Sequence, residues 1–354
     1  IETDIENEIE NQLENEIGDW RYLLALRDAA QRAGMAPPLF TRTGWPAPSK
    51  GCPNDFPIMP FFSGYPDVYW SNEMATQPQS FSYLFGEIQV PSDPMWGGFH
   101  DLPNLNVEIG GGMSTDYNHR THMAATDMPS LHLVDVGSGV NSMGYYMYHD
   151  GLNPLPLGAN ATGLDPTRTL QESTWQPFGG GNGMASRSYS YYAPLGVAGQ
   201  ARPHYHAMRR LHLLLRDFGA EMASASVSTA PDMVPADSND TTTLRWRVRT
   251  RPGPDPAQHA GFLFVSNHQR LKALTEKRGV RFDVRLGTHA AISVPSARSP
   301  ALKVAAGAWF VWPLMLPLHA RQSGGGNTRV AWATAQLVCR IGDGSTFVFV
   351  ATDD

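Results

Sequence analysis

Two glutamates stand at the ends of strand-like segments, and their placement makes them the residues of this chain best suited to chemistry. Glu16 lies near the end of the segment Gln12 to Gly18, and Glu108 closes the segment Asn104 to Glu108 just before three consecutive glycines. Two carboxyl groups brought together by a fold can cleave a glycosidic bond, because one protonates the leaving oxygen while the other attacks the anomeric carbon. The same pair would also fit two buried carboxylates neutralised by arginines, so both interpretations stay open here.

The composition indicates a globular protein and excludes some classes of binding partner. The chain has 354 residues, of which 42% are hydrophobic, and this is enough for buried cores in two domains. A formal net charge of -6 gives no electrostatic basis for binding nucleic acid or an anionic membrane, so we expect a small or neutral partner. The longest apolar stretch, Ala305 to Leu318, is short and interrupted by proline, and we predict no transmembrane segment. Cys52 and Cys339 have no paired or metal-like spacing, which indicates free thiols.

Short strands alternate with helices in the first part of the chain. Apolar residues at helical spacing predict helices at Asp19 to Gly34, Ala124 to Val136 and Ala201 to Phe218. The predicted strands are Pro38 to Thr41, Ile58 to Phe62, Leu105 to Glu108 and Val140 to Tyr148. The strand-helix-strand order predicts a parallel sheet. Short strands followed by long polar loops are typical of a (β/α)8 TIM barrel, in which chemistry gathers at the carboxyl ends of the strands.

The predicted fold class is α/β plus all-β: the C-terminal part of a (β/α)8 TIM barrel followed by an antiparallel β domain. We count about five of the eight strands of a full barrel, so we expect a truncated start, with the missing strands and any signal peptide before Ile1. The predicted domains are 1–222 for the partial barrel, 223–242 for a linker rich in small and polar residues, and 243–354 for a β-sandwich-like domain. Strands of the last domain are predicted at Thr243 to Thr250, Gly261 to Ser266, Val280 to Leu286, Ala308 to Trp312, Arg329 to Ala335 and Ser345 to Ala351.

The segments around both glutamates resemble glycoside hydrolase family 35, the β-galactosidases. Gln12 to Gly18 is similar to the acid/base motif Gln-x-Glu-Asn-Glu-Tyr-Gly of that family, with Ile17 in place of tyrosine, and Asn106 to Met113 is similar to its nucleophile strand. Further matching segments are Phe61 to Asp67, Gly137 to Asn141, Gly144 to His149, Ala193 to Gly196 and Gly261 to Leu271. The resemblance therefore extends along nearly the whole chain.

The resemblance implies a retaining hydrolase that removes terminal β-linked galactose from oligosaccharides or glycoconjugates. Glu16 would be the general acid/base, Glu108 the nucleophile, and Asn15 the partner of the sugar 2-hydroxyl. Retention by double displacement requires the two carboxyl groups to lie about 5 Å apart. The exchange of proton-donor and base roles at Glu16 needs no metal or organic cofactor.

Aromatic residues supply the remaining candidates for sugar binding. Flat apolar faces stack against the C–H face of a pyranose, and the aromatic residues near the predicted strand ends suit this role. They are Trp45, Tyr65, Trp70, Tyr145, Tyr146 and Tyr148. We also expect Asn141, predicted near the carboxyl half of a strand, to bind a sugar hydroxyl.

Departures from the family pattern leave two alternatives open. Asp150 is expected to add a charge near the mouth of the pocket, Ser190 stands where the family tends to carry aspartate, and Val197 stands where glutamate is usual. One alternative is a truncated or inactive homologue that only binds carbohydrate. The other is the same chemistry on another glycone, such as glucosamine.

Three further patterns favour structural interpretations. Gly110 to Gly112 lacks the lysine and spacing of a phosphate loop, so we predict a tight turn between strand and helix. His119 and His122 are three positions apart on a predicted loop with Asp116 nearby, and these two histidines lack a convincing third metal ligand. Arginines alternate with apolar residues between Thr243 and Thr250, which predicts a strand with one solvated face rather than a nucleic-acid site.

Overall fold

The computed structural model describes residues 20–36, 40–42, 59–64, 83–85, 103–113, 115, 121–153, 188–228, 239–254, 258–287, 290–318, 328–342, 344 and 346–352. The helices in these ranges are α1 (Trp20–Arg32), α2 (Asp127–Gly137) and α3 (Pro203–Ala223). Each overlaps a predicted helix. Gly34, at φ +82°, adopts the left-handed backbone conformation that ends α1 near its predicted boundary. None of these helices is long and apolar enough to cross a membrane.

A four-stranded parallel sheet occupies the first part of the described chain. Its strands are β1 (Phe40–Arg42), β2 (Met59–Gly64), β3 (Leu105–Ile109) and β4 (Ser142–Tyr145). They are hydrogen-bonded in chain order, and every neighbouring pair is parallel. The parallel sheet predicted from the alternation of strands and helices is therefore confirmed for these strands. β4 ends three residues earlier than predicted, because the chain turns at Tyr146.

Antiparallel sheets dominate the second part. The largest contains β7 (Ser226–Ser228), β8 (Arg245–Arg251), β9 (Ala260–Ser266), β14 (Trp309–Pro317) and β15 (Arg329–Trp332) in the order β15-β14-β9-β8-β7. Four two-stranded antiparallel pairs complete the described strands: β5 (Gly151–Leu152) with β6 (Ser188–Tyr189), β10 (Lys277–Val280) with β13 (Leu302–Val304), β11 (Phe282–Val284) with β12 (Ile292–Val294), and β16 (Ala335–Ile341) with β17 (Thr346–Ala351). The described fold thus mixes helices and a parallel sheet with antiparallel β structure.

The large antiparallel sheet is covered on both faces. All seven residues of β9 are buried. Because side chains alternate along a strand, Phe262 and Phe264 join a cluster with α2 and α3, whereas Leu263 and Val265 join a second cluster with strands β11 to β13. The sheet therefore lies between a helical layer and a further layer of β structure. A polar contact adds to this packing, since the carboxylate of Asp127 at the start of α2 lies 2.9 Å from His268 Nε2.

Strand β8 turns its arginines toward the helices. Arg249 is only 1% exposed. Its Nη1 donates to the carbonyl oxygens of Val136 (2.8 Å) and Val140 (3.1 Å), and its Nη2 donates to that of Met222 (2.5 Å). These carbonyls lie at the ends of α2 and α3, where the helix dipoles favour a cation. The predicted solvated arginine face is therefore wrong.

The described strands differ from the predicted elements in three further ways. Residues 226–228, inside the predicted linker 223–242, form the edge strand β7 and pair with β8. The strand predicted at Val280 to Leu286 is divided between β10 and β11 at Arg281, whose guanidinium donates to the carbonyls of Pro295, Ser296 and Ser299. β5, β6, β12, β13 and β16 were not predicted.

Candidate active site

Glu108 lies at the carboxyl end of the third parallel strand. Its neighbour Ile109 is buried in a cluster with Met128 and Leu131 of α2. Because successive side chains of a strand project to opposite faces, Glu108 projects from the side of the sheet that faces away from α2. The residue is partly exposed. Its position agrees with the predicted placement at a strand end.

Two glycines after Glu108 let three backbone segments meet. A Cβ atom on Gly111 would lie 2.0 Å from the carbonyl oxygen of Met147, and one on Gly112 would lie 2.1 Å from that of Tyr191. Neither contact is sterically possible, and both obstacles are backbone atoms. The glycines thus bring the segments around Met147 and Tyr191 against the turn that follows Glu108. The described backbone is consistent with the predicted tight turn.

A cluster of tyrosines adjoins this turn. Tyr146 N donates to the carbonyl of Ile109 (2.9 Å), which sets Tyr146 beside the end of β3. The Tyr146 ring meets that of Tyr191 edge-on at 5.1 Å between centroids, and its hydroxyl is hydrogen-bonded to that of Tyr189. Tyr146 was a predicted site residue, whereas Tyr189 and Tyr191 were missed. The close spacing of tyrosines at 189, 191 and 192 was the available signal.

Two other predicted contacts lie elsewhere. Tyr148 packs with Tyr145 and His212, at 5.5 and 5.8 Å between ring centroids, so it lies on the helix side of the sheet. Asn141 precedes β4, at the amino end of the strand. Its Oδ1 accepts from Asn104 N (3.0 Å) and its Nδ2 donates to the carbonyl of Ala223 (3.0 Å). The predicted placement of Asn141 near a carboxyl strand end is therefore wrong.

Asp150 is a structural anchor rather than a surface charge. It is 2% exposed. Its carboxylate accepts from the backbone N–H groups of Tyr191 (2.9 Å) and Ala193 (3.1 Å), from Ser190 Oγ (3.1 Å) and from Arg202 Nη2 (2.7 Å). The expectation that Asp150 adds a charge at the mouth of the pocket is wrong, because its carboxylate is buried among these four donors. Asp150 and Ser190 together order the loop that carries Tyr191.

Helix α2 presents a buried polar face to β3. His132 is 0% exposed, and its Nε2 donates to the carbonyl of Gly110 at 2.8 Å. Burial lowers the pKa of His132 to about 3, so the ring is neutral at ordinary pH. Asp135 is also 0% exposed, and burial raises its pKa well above the usual value. Sequence reasoning missed both residues, although a histidine and an aspartate three positions apart in an apolar helix were visible.

Several predicted site residues lie outside the described residues. They are Glu16, Asn15, Tyr65, Trp45, Trp70, Asp116 and His119. The separation of the two glutamate carboxyls therefore stays a prediction. Within the described ranges, no group of three histidine, cysteine, aspartate or glutamate side chains could hold a metal ion.

One cavity lies at the other end of the parallel sheet. It has a volume of about 180 Å³ and is lined by Val140, Asn141, Leu215, Met222 and Arg249, among others. These residues surround the amino end of β4, whereas Glu108 lies at the carboxyl end of β3. The guanidinium of Arg249 already donates hydrogen bonds there to carbonyls at the ends of two helices.

Comparison with known proteins adds no family. No family model matches the chain, and no curated protein matches it. The resemblance to β-galactosidases therefore depends on the sequence motifs alone, around the two glutamates and along the rest of the chain. The function proposed below depends on those motifs together with the geometry around Glu108.

Proposed function

We propose that the chain belongs to a retaining glycoside hydrolase that releases terminal β-linked galactose from oligosaccharides or glycoconjugates. The observation that carries the proposal is the position of Glu108 at the carboxyl end of a parallel strand, on the face away from the helix, with the backbone of Tyr146 hydrogen-bonded to the next residue, Ile109. In (β/α)8 barrels, catalytic side chains come from the carboxyl ends of strands. Four parallel strands in chain order support the C-terminal half of such a barrel.

The proposed mechanism is double displacement. Ionised Glu108 attacks the anomeric carbon and forms a glycosyl ester, while Glu16 donates its proton to the departing oxygen. Glu16, now a carboxylate, removes a proton from water, and the resulting hydroxide displaces Glu108 from the sugar. The two carboxyl groups and water account for every proton transferred and every bond formed or broken in both steps. The proposal therefore includes no metal or organic cofactor.

The neighbouring loops support this role for Glu108. The turn from Gly110 to Gly112 packs against the backbone of Met147 and Tyr191, so the carboxylate stands on a closely packed support. The buried Asp150 orders the loop carrying Tyr191. Rigid supports of this kind keep a nucleophile close to its reactive geometry, which is a large part of catalysis.

A second candidate function is carbohydrate binding without turnover. Within the tyrosine cluster, Tyr146 and Tyr189 favour it, because their rings are partly exposed and aromatic faces bind sugars whether or not an acid/base residue is in place. The same cluster is compatible with another glycone, such as glucosamine. Glycone choice depends on hydrogen bonds to individual hydroxyl or amino groups, and a panel of nitrophenyl glycosides would identify it.

The proposal is tested by trapping the glycosyl ester. The purified chain is incubated with 2-deoxy-2-fluoro-β-galactosyl fluoride and digested, and the labelled peptide is identified by mass spectrometry. We expect the label on Glu108 and none on a Glu108→Gln variant. Glu276→Gln is a matched control, since Glu276 lies in the β domain and pairs with exposed Arg278.

The possible results separate the two candidates. A label on another residue, or unchanged labelling of Glu108→Gln, would reject Glu108 as the nucleophile. Absence of label together with galactose binding in isothermal titration would favour the binding function. Labelling only by a fluorinated glucosamine analogue would favour the other glycone.

A further inference from the structure

Helix α2 is buried on every side, yet among the described residues two of its side chains, His132 and Asp135, have polar atoms without a hydrogen-bond partner. All residues from Asp127 to Gly137 are buried. His132 and Asp135 are three positions apart and therefore lie on the same helix face. Within the described residues, His132 Nδ1 and both carboxyl oxygens of Asp135 lack a hydrogen-bond partner. Buried polar atoms almost always have a hydrogen-bond partner, either a protein group or an ordered water.

A third group of this kind lies on β3. Asn106 is 1% exposed, and neither its Oδ1 nor its Nδ2 has a hydrogen-bond partner among the described residues. Asn106 pairs in register with Met143, which packs against the cluster that contains α2. Neighbouring residues in register project to the same face of a sheet, so Asn106 faces α2. Asn106 and Glu108 pair with the consecutive residues Phe62 and Ser63 of β2, and this register shift places their side chains on opposite faces. Three polar side chains with unused hydrogen-bonding capacity thus occupy one interface.

Their hydrogen-bonding roles are complementary. A carbonyl oxygen only accepts, so the hydrogen bond to Gly110 places the proton of His132 on Nε2 and leaves Nδ1 as an acceptor. A neutral Asp135 carboxyl supplies a donor. The titratable groups facing this region are His204 and His212 of α3 and Tyr145, whose hydroxyl lies 2.7 Å from His212 Nε2. Burial lowers the pKa of both histidines, so neither supplies a cation that would keep Asp135 ionised, and the Arg249 guanidinium at the end of α2 donates instead to the carbonyls of Val136, Val140 and Met222.

We infer that Asn106, His132 and Asp135 enclose one internal water and that this cluster positions Glu108. The water accepts from the Asp135 hydroxyl and from Asn106 Nδ2, and it donates to His132 Nδ1. Three hydrogen bonds are typical of a buried water. The positioning role rests on the function proposed for Glu108, whereas the existence of the cluster does not.

The cluster holds β3 on both sides of Glu108. Asn106 stands two residues before Glu108, and Gly110, held directly by His132, stands two residues after it. The pairing of β3 with β4 shifts register between Asn106 and Ile109, so this stretch departs from the regular ladder. Anchors from α2 on either side of the irregularity would fix the direction of the Glu108 side chain. His132 and Asp135 are therefore positioning residues and do not contact the substrate.

The cluster itself is tested on the unmodified chain by NMR. We expect the ¹³C-labelled carboxyl of Asp135 to stay protonated well above its ordinary pKa, and ¹⁵N-labelled His132 to keep its proton on Nε2. An Asp135 carboxyl that ionises near pH 3.8, or a His132 ring with its proton on Nδ1, would overturn the inference. The raised pKa also predicts that stability relative to Asp135→Asn falls as pH rises above 3.8, because the unfolded chain ionises there while the folded chain does not.

The positioning role is tested with two substitutions of Asp135. Asp135→Asn keeps a donor and removes the titration, whereas Asp135→Leu removes the donor. We expect amide hydrogen exchange at residues 107–112 to stay close to wild type in the Asn variant and to become about 10-fold faster in the Leu variant. Asp28→Asn on α1 is the control for loss of a carboxylate at an exposed site, since its side chain is 46% exposed. Equal exchange in wild type and Asp135→Leu would overturn the role, and so would an Asn variant that behaves like the Leu variant.

Labelling kinetics separate this inference from the proposed function. If the fluorinated galactoside labels wild type, we expect labelling of Asp135→Leu to be slower by about 10- to 100-fold and that of Asp135→Asn to be restored. Equal labelling rates would reject positioning. A wild-type chain that neither the galactoside nor the glucosamine analogue labels would reject the hydrolase and the positioning role with it, while the NMR measurements would still decide whether the cluster exists.

Discussion

At the scale of single residues, Gly112 illustrates how the absence of a side chain determines which segments meet beside Glu108. A Cβ atom at this position would lie 2.1 Å from the carbonyl oxygen of Tyr191. Gly112→Ala must therefore move one backbone segment away from another, and we expect it to lower the free energy of unfolding by about 2 kcal/mol or more. Urea denaturation measures this change.

A second glycine provides the control. A Cβ atom on Gly151 would meet no atom within 4 Å, so we expect Gly151→Ala to leave stability nearly unchanged. Similar losses in the two variants would contradict the steric argument. Labelling of Gly112→Ala by the fluorinated galactoside should also be slower, because the displaced turn directly follows Glu108.

Residue-level prediction from sequence succeeded where a signal was local. Glu108 was placed at a strand end because the apolar strand and the glycines adjoin it in sequence. The buried partners of Arg249 and Asp150 could not be predicted, because their hydrogen-bond partners come from distant segments such as Met222 and Arg202. Asn141 was misplaced because β4 begins only after it, at Ser142.

At the scale of elements, Arg249 joins strand β8 to the ends of two helices. Replacing it with methionine would leave the carbonyls of Val136, Val140 and Met222 without their charged donor. We expect Arg249→Met to lower the free energy of unfolding by about 3 kcal/mol, measured by urea denaturation. Arg249→Lys should recover little of this stability, since an ammonium lacks the planar fork that reaches all three carbonyls.

A surface arginine is the control for this prediction. Arg216 on α3 is 60% exposed and pairs with its neighbour Asp217, so we expect Arg216→Met to change stability little. A small effect of Arg249→Met, comparable to that of Arg216→Met, would mean that the helix ends do not depend on the guanidinium.

The helices and the parallel strands were predictable as elements because hydrophobic periodicity is a local property. The helix predicted at Ala124 to Val136 is observed as Asp127–Gly137, and the helix predicted at Ala201 to Phe218 as Pro203–Ala223. β16 was missed although it contains buried Leu337, Val338 and Cys339. Its position depends on tertiary contacts, among them Arg340 N to Asp217 of α3 at 2.6 Å, which no local pattern reveals.

At the scale of the whole molecule, the helices beside Glu108 share one core with the antiparallel sheet. Phe264 of β9 is 0% exposed and belongs to a cluster with Leu133 of α2 and Leu211 of α3. We expect Phe264→Ala to lower the free energy of unfolding by about 3–5 kcal/mol. Helical circular dichroism and tryptophan fluorescence should then shift together to lower denaturant, because the described parts unfold as one cooperative unit.

An exposed strand residue gives the matched comparison. Val350 on β17 is 36% exposed, so Val350→Ala should leave the denaturant concentration at the midpoint of unfolding nearly unchanged. Two separate transitions in wild type, with helical signal lost before tryptophan fluorescence changes, would contradict the shared core.

The sequence predicted the order of the two kinds of structure but not their contact. A composition rich in small and polar residues predicted a linker at 223–242, and the domain boundaries stay a prediction. Pattern analysis finds which face of an element is apolar, but it does not say which distant element covers that face. The burial of Phe262 and Phe264 against α2 and α3 therefore emerged only from the structure.

The shared core also has a consequence for the order in which the chain is synthesised. α2 leaves the ribosome long before the residues that cover it, which include Phe262, Trp309 and Leu337. Until those residues have emerged, the face of α2 that packs on the antiparallel sheet is uncovered, and the last carbonyls of the helix lack Arg249. The support of Glu108 is therefore completed late in translation, and a nascent chain stalled before β9 offers an apolar helix surface to chaperones.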